Sequence, residues 1–156
     1  MQAPEPLQQH HWLLKLVGDW TYDSEALMEP GQPPAKFSGT QSVRRLGDLW
    51  TLSEGGFGDM RSVITLGFDP AKNRFVGTFV ASVMNYLWIY DGELDATETT
   101  LSLYADGPSF ADPAKTAKYR DAIEIKSDDH HVFTGSLLGD DGNWICFMTA
   151  HYHRVK

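Results

Sequence analysis

Histidines are the residues of this sequence whose spacing first suggests chemistry. His151 and His153 lie two residues apart. On a β-strand this spacing places both imidazole rings on one side, as two neighbouring ligands of a metal ion would need. No third ligand stands at a predictable spacing, so we interpret both as partly exposed strand residues and only as weak candidates for a metal site.

The other histidines form two adjacent pairs, His10-His11 and His130-His131. Neighbouring strand residues face opposite sides of a sheet, so His130 and His131 cannot bind one ligand from the same side. Because this pair follows a turn signal at residues 128–129, we predict that both of its members lie on the surface.

Asp121 is the carboxylate with the most informative surroundings. The segment from Lys118 to Lys126 alternates along its length, and Asp121 shares one face with Tyr119 and Ile123. That face must be the core face of the predicted strand, and a buried carboxylate is costly unless it is paired. Two interpretations follow: a structural hydrogen bond or ion pair, and an acid with a raised pKa that contacts a ligand.

Signatures of nucleophilic and phosphate-binding sites are missing from the sequence. No Ser-His-Asp order or nucleophile elbow occurs. The glycine-rich segment 55–58 lacks the Lys-Ser/Thr pair of a phosphate-binding loop, and we interpret it as a turn or bulge. The single cysteine, Cys146, shares a predicted strand face with Trp144 and Met148, which favours a buried small hydrophobe over a nucleophile.

The chain is acidic, with 156 residues, 13 basic and 21 acidic side chains and a formal charge of −8. Such a chain is repelled by phosphate groups, so nucleic acid and anionic membranes are not expected partners. One cysteine excludes an internal disulfide, and no apolar run is long enough to span a membrane. The first residues lack the basic start and apolar segment of a signal peptide, so we predict a cytoplasmic protein.

The elements that would position these residues follow from periodicity. Apolar residues recur at helical spacing near the N terminus, which predicts one helix over about residues 5–17. From Gly18 onward, turn signals such as Pro30-Gly31 recur every eight to twelve residues, which predicts about ten short antiparallel strands. The segment 106–118 lacks alternation and is predicted as a long loop. We expect a single domain over residues 1–156.

Several predicted strands are apolar on both faces, among them residues 75–82 and 85–91. A barrel wall has only one inner face, so the other must be covered by the helix, by the long loop or by another subunit. We predict a homodimer that packs sheet against sheet through the strands near residues 75–90.

A Gly-x-Trp signature, Gly18-Asp19-Trp20, opens the first predicted strand, and Arg154 stands near the end of the last one. The pair resembles lipocalins and related calycin barrels, in which such a Trp plugs one end of the barrel and a late Arg packs across its ring. The resemblance implies that Trp20 and Arg154 close the barrel. It also makes His151 a candidate haem ligand, because some calycin barrels seat a haem on a histidine of a late strand.

Longer segments resemble the bacterial "domain of unknown function 1579" family. These segments are residues 11–20, 66–69, 74–78, 118–121, 141–142 and 152–154. The resemblance covers almost the whole chain and implies a lipocalin-like barrel without a settled activity. Two segments depart from the family pattern: residues 79–82 read Phe-Val-Ala-Ser in place of Trp-x-Asp-Ser, and Thr149 stands where members tend to carry an acid.

The predicted fold is all-β: an antiparallel up-and-down lipocalin-like (calycin) β-barrel of about ten strands with one N-terminal helix. Strand phase gives the interior a mixed aromatic and acidic lining. The predicted lining residues are Tyr22, Trp50, Glu54, Phe79, Tyr119 and Asp121.

Small barrels either fill their interior with side chains or hold one small ligand, and the sequence leaves both open. We predict a small, largely apolar ligand with a neutral or cationic polar end, because Glu54 and Asp121 would act as acceptors. A second hypothesis is a cavity enzyme of the isomerase or hydratase type that uses Asp121 or Glu54 as a general base. A third is a packed barrel that serves as a structural or interaction partner. No cofactor other than the haem candidate is expected.

Overall fold

Ten antiparallel strands form a closed barrel in the computed structural model of the protein, which describes residues 1–27 and 31–156. Each strand pairs with its neighbours in sequence, and the first strand pairs with the last. The strands are β1 (Gly18–Ala26), β2 (Ala35–Leu46), β3 (Trp50–Phe57), β4 (Met60–Asp69), β5 (Arg74–Ala81), β6 (Trp88–Leu94), β7 (Thr100–Pro108), β8 (Thr116–Ser127), β9 (His130–Leu138) and β10 (Trp144–Arg154). The predicted fold class is confirmed. Pro30 of the first predicted turn lies outside the described residues.

A short helix precedes the barrel. The helix α1 covers Gln8–Leu13 and continues as a 3-10 turn over Leu14–Leu16, so it begins later than the predicted helix. Leu7 is extended, and prolines at 4 and 6 favour extended backbone in the residues before them, which delays the first helical turn. Neither helical segment, nor any other part of the described residues, has the length and apolarity that a helix needs to cross a membrane.

Trp12 anchors this helix over one end of the barrel. Its indole nitrogen donates to the main-chain carbonyl of Glu98 at 2.7 Å, and its ring packs against Phe75 with 6.4 Å between ring centres. Leu13 and Leu16 are also buried. The helix therefore closes the barrel end that carries the β6–β7 turn and adds apolar surface to the core.

A stacked pair of side chains joins the first strand to the last. Trp20 is the register partner of Arg154, and the guanidinium carbon of Arg154 lies 4.3 Å from the centre of the indole ring. The same guanidinium donates to the carbonyls of Val17 at 2.6 Å, Lys15 at 3.1 Å and Asp128 at 3.0 Å. The two residues that the sequence predicts to close the barrel thus lie in contact.

Gly18 makes room for this pair. Its φ of +140° lies in a region that side-chain-bearing residues rarely adopt, and a Cβ at this position would overlap Nη1 of Arg154. Trp20 is held from the other side, because its indole nitrogen donates to the carbonyl of Leu16 at 2.9 Å. The presence of glycine in the Gly-x-Trp signature therefore has a steric explanation.

A β-bulge in β10 changes the face on which Cys146 lies. Phe147 is the extra residue between Cys146, which pairs with Ser136, and Met148, which pairs with Gly135. Phe147 packs against the core and Met148 lines the interior, so residues before the bulge have the opposite phase from those after it. The prediction that Cys146 is buried is wrong, because the residue lies before the bulge and is exposed.

The connection between β7 and β8 is shorter than the predicted loop over 106–118. Strand β7 extends to Pro108 and β8 begins at Thr116, so only residues 109–115 connect them. Gly107 lies within β7, and only glycine fits there because the ring of Trp88 occupies the space that a side chain would need. A glycine next to a proline suggests a loop, and here the glycine instead allows an aromatic ring to approach the strand.

Replacing Arg154 tests the closure of the barrel. We expect Arg154→Ala to lower the free energy of unfolding by about 2–4 kcal/mol, because it removes a cation–π contact and three hydrogen bonds that the guanidinium donates to main-chain carbonyls. Arg120→Ala is the matched control: Arg120 lies 4.8 Å from the ring centre of Trp144, outside the barrel, and its loss should cost less than about 1 kcal/mol. Denaturant unfolding measures both values. Equal losses in the two variants would contradict the role of Arg154.

The predicted homodimer can be tested on the outer face of β4, β5 and β6, where Val63, Val80 and Ile89 are exposed. We expect a dimer in light scattering at micromolar concentration and a monomer for Ile89→Lys, because an unpaired charge is costly in an apolar interface. Thr21→Lys, on the exposed face of β1, is the control that should keep the dimer. A monomeric wild-type protein would refute the prediction.

Candidate functional site

A cavity of about 180 Å³ lies inside the barrel. At the end covered by the helix it is bounded by Leu16 and Leu66, and toward the opposite end by Phe37 and Phe57, whose ring centres are 4.3 Å apart. The sequence left open whether side chains fill the interior of the barrel, and in the structure they leave a cavity.

Most of the cavity wall is apolar. Inward positions alternate along each strand, and β4, β5, β7, β8 and β9 each contribute aliphatic or aromatic side chains. These side chains include Ile64, Phe79, Leu103, Ile123 and Phe133. Such a wall favours a ligand whose body is apolar.

The carboxyl group of Asp121 lies on β8 beside this cavity. The hydroxyl of Tyr90, whose ring lines the cavity, donates to Oδ2 of Asp121 at 2.5 Å. Asp121 does not line the cavity itself, and its carboxyl group connects to the lining through the hydrogen bond from Tyr90. Burial raises the pKa of Asp121 to about 6, and the hydrogen bond from Tyr90 limits this rise. The interior therefore holds a carboxyl group that changes charge close to neutral pH.

Tyr22 on β1 and Tyr152 on β10 line the same cavity. They are register partners, and their ring centres are 4.8 Å apart. Burial raises the pKa of both hydroxyls, and Tyr22 and Asp121 add to the rise for Tyr152. Both hydroxyls are therefore neutral at physiological pH, and a neutral hydroxyl can donate or accept a hydrogen bond.

His131 is the interior residue that the sequence reasoning missed. The prediction that it lies on the surface is wrong: it is 4% exposed, stacks on Tyr152 with 4.8 Å between ring centres, and meets Trp20 edge-on at 4.4 Å. Burial lowers its pKa to about 4, and its buried Nδ1 has no hydrogen-bond partner in the described part of the chain. The alternation rule was the available signal, since one member of an adjacent pair in a strand must face inward.

These interior groups form one set, which we call the polar cluster. Its members are Tyr22, Tyr90, Asp121, His131 and Tyr152. The cluster comes from five different strands, β1, β6, β8, β9 and β10, so it exists only when the barrel is closed.

Four of the predicted lining residues lie in the interior. Tyr22 and Phe79 line the cavity, and Asp121 lies beside it. Tyr119 is buried nearer the β7–β8 connection, where its hydroxyl donates to the carbonyl of Pro108 at 2.6 Å. The structure therefore gives Tyr119 a partner outside the polar cluster.

The prediction that Trp50 and Glu54 line the interior is wrong. On β3 the buried side chains are Thr51 and Ser53, so Trp50 and Glu54 face outward. Trp50 is 41% exposed and its ring covers Gly67 from outside, while Glu54 forms an ion pair on the surface. The alternation along β3 was assigned to the wrong faces, because the small polar Thr51 and Ser53 face the interior and the large apolar Trp50 does not.

His151 and His153 lie on the outer face of β10, since the alternate residues Ala150 and Tyr152 face the interior. His151 therefore cannot ligate a haem inside the barrel, and that hypothesis is corrected. Within residues 1–27 and 31–156, no three His, Cys, Asp or Glu side chains already converge as metal ligands do.

Asp121 and His131 should make opposing contributions to the pH dependence of stability. Folding raises the pKa of Asp121 to about 6, so its contribution is present at low pH and is lost as the pH rises from about 4 to 6. Folding lowers the pKa of His131 to about 4, so its contribution is lost as the pH falls from about 6.5 to 4. The contributions of these two groups to the free energy of unfolding therefore largely cancel over this range.

Single substitutions separate the two contributions. Relative to the wild type, Asp121→Asn should lose about 1–3 kcal/mol more stability between pH 6.5 and 4, because the opposing effect of Asp121 is gone and that of His131 remains. His131→Phe should show the opposite slope. Denaturant unfolding at several pH values measures both, and curves parallel to that of the wild type would contradict the interior placement of the two groups.

Solved structures with similar folds span nearly all of this chain. The protein Rv2717c from M. tuberculosis gives a TM-score of 0.66 at 12% identity and covers 97% of this chain and 100% of its own. The S-type phycobiliprotein lyase CPES from Guillardia theta gives 0.56 at 12% identity, with 97% and 99% covered. A protein of unknown function from the DUF3598 family of Nostoc punctiforme gives 0.57 at 14% identity, and the 97% of this chain that aligns spans about half (51%) of that chain. At such identities the likeness shows the fold alone.

The family of the chain follows from its sequence. Curated proteins provide no match. A family model described as "Protein of unknown function (DUF1579)" matches residues 5–154 and so includes both Trp20 and Arg154. The predicted resemblance is confirmed, and the chain belongs to the DUF1579 family.

Proposed function

We propose that the protein binds one small, largely apolar molecule inside its barrel, with a neutral or cationic polar end directed to the polar cluster. The observation that carries this proposal is the interior cavity of about 180 Å³, whose wall is mostly apolar and includes Tyr22, Tyr90, His131 and Tyr152 of that cluster. A cavity with a few convergent polar groups and perturbed pKa values is the usual form of a small-molecule site.

The cavity volume limits the size of the ligand. The interior space is about 180 Å³. A water molecule occupies about 30 Å³ in the liquid, and a cavity of about 150 Å³ holds a benzene molecule. We therefore expect a molecule with a single ring or a short branched chain, which is smaller than the ligands of typical pockets of about 300–1,000 Å³.

The charge of Asp121 selects among ligands of this size. Above a pH of about 6 its carboxylate accepts hydrogen bonds and opposes a second negative charge in the enclosed interior. The hydroxyls of Tyr22 and Tyr152 can donate to a neutral polar end, and the unpartnered Nδ1 of neutral His131 offers a further hydrogen bond. Glu54 lies outside, so the selectivity rests on Asp121.

The comparisons support this proposal at the level of the fold. One of the similar structures is named as a phycobiliprotein lyase, and a barrel of the same shape there is consistent with a small-molecule ligand here. The identity of 12% carries no ligand from that protein to this one.

A matched ligand series tests the proposal. Benzyl alcohol, benzylamine and benzoate share one ring and differ in the charge of the polar end. At pH 8 we expect calorimetric titration to show that the first two bind, and that benzoate binds at least about tenfold more weakly, which corresponds to about 1.4 kcal/mol. Failure of all three to bind at millimolar concentration would contradict the proposal.

Two variants localise this selectivity. Asp121→Asn should reduce the difference between benzyl alcohol and benzoate to less than about threefold, because the repelling charge is gone. Glu54→Gln removes a carboxylate of the outer face, where Glu54 pairs with Arg44 at 2.7 Å, and should leave the selectivity unchanged. The same loss of selectivity in both variants would show that net charge, and not the interior carboxylate, is responsible.

A second candidate function is catalysis with Asp121 as a general base. The observation that favours it is the raised pKa of about 6, which is close to the value that an effective base needs at neutral pH. The hydrogen bond from Tyr90 also fixes the orientation of the carboxyl group. An isomerase or hydratase step would use such a base in a cavity shielded from water.

The pKa of Asp121 decides whether this second function is available. Carbon-13 NMR of labelled aspartate should show one carboxyl group that titrates near pH 6 and is missing in Asp121→Asn. Titration of that group near its ordinary value of about 4 would remove the basis for a general base.

A further inference from the structure

Three histidines meet on the outer surface of the barrel, on the side of the wall away from the cavity. His153 on β10 is the register partner of His130 on β9, and His151 lies diagonal to His130 because it pairs with Val132. Nε2 of His130 is 3.2 Å from Nδ1 of His151. The rings of His130 and His153 stack with 4.7 Å between their centres. We call His130, His151 and His153 the outer histidine cluster.

We propose that the outer histidine cluster binds a divalent transition-metal ion, with Nε2 of His130 and Nδ1 of His151 as its first two ligands. Zinc–nitrogen bonds of about 2.0–2.1 Å place two adjacent ligand atoms about 2.9–3.4 Å apart in octahedral or tetrahedral geometry. The 3.2 Å between the two nitrogens lies inside this range. Imidazole ligands suit Zn²⁺, Ni²⁺ and Cu²⁺ better than Mg²⁺ or Ca²⁺.

The strand register explains how this site arises. The spacing of His151 and His153 in one strand supplies two histidines on one face, and the antiparallel pairing with β9 brings His130 beside them. The sequence alone gave no spacing for the third residue, because His130 is separated from His151 by a whole hairpin.

Metal binding requires neutral imidazoles, because the nitrogen that binds the ion must supply its lone pair. Without metal, the contact between His130 and His151 needs a proton on one of the two nitrogens. A metal ion can instead accept both lone pairs after small rotations of the two rings.

His153 is the third ligand in this proposal and must rotate away from its stacked position, because no three such side chains converge yet in residues 1–27 and 31–156. The cluster has one positive neighbour, Lys126 near His130, and one negative neighbour. Asp23 on β1 is the register partner of His151, and it lies on the outer face, where it accepts a hydrogen bond from Ser38 at 2.6 Å. Water completes the coordination of an ion at such an exposed site.

Calorimetric titration of the untagged protein with ZnCl₂ and NiCl₂ tests the proposal. We expect one ion per chain with a micromolar dissociation constant. His151→Ala and His130→Ala should each weaken binding at least tenfold, and His153→Ala about threefold. His11→Ala, an exposed histidine on α1, is the matched control that should leave binding unchanged.

Unchanged affinity in His151→Ala would overturn the proposal, as would a dissociation constant above 1 mM for the wild-type protein. Thermal unfolding without metal is expected to give similar midpoints for all four variants. A variant that does unfold early is replaced by the corresponding His→Gln substitution, which keeps a polar side chain and removes the imidazole ligand. This test is independent of ligand binding in the cavity, because the cluster lies on the opposite face of the wall.

Discussion

The contact between the indole of Trp20 and the guanidinium of Arg154 is the interaction on which the closed barrel depends. It joins the strand that begins the sheet to the strand that ends it, so neither is left as an open edge. The same guanidinium binds the carbonyls of Lys15 and Val17 and thereby fixes the end of the helical segment to the last strand. One side chain therefore holds both the wall of the barrel and the cover of one end.

Closure gives the interior its chemistry. The polar cluster is assembled from five strands at both ends of the sequence. The enclosed surroundings shift two pKa values in opposite directions, so that their order is reversed: that of Asp121 rises to about 6 and that of His131 falls to about 4. These shifts favour the neutral form of each group. The hydrogen bond from Tyr90 to Asp121 and the stacking of His131 on Tyr152 reduce the free-energy cost of removing the two side chains from water. A largely apolar cavity with one ionisable end is the result, and it matches a ligand of the same character.

The fold was predictable because its signals are local and repeated. Turn residues at regular intervals and the Gly-x-Trp signature do not require knowledge of strand register. The site was predictable only where alternation is unambiguous, as on β8, where Asp121 stands among apolar neighbours. The prediction failed on β3, where small polar residues face inward and Trp50 packs outside on Gly67. It also failed on β10, where the bulge at Phe147 reverses which residues face inward. His131 was missed because the adjacent pair was assigned as a whole to the surface beside a turn, although alternation along a strand turns one of the two residues inward.

The central claim is that the closed barrel contains an apolar cavity that a small molecule can enter. A crystal of the protein pressurised with xenon tests it most directly, because xenon binds in dry apolar cavities of this size. The account predicts one well-occupied xenon site inside the barrel, among Phe79, Leu103 and Phe133. Xenon found only on the outer surface, with the interior filled by side chains, would contradict it.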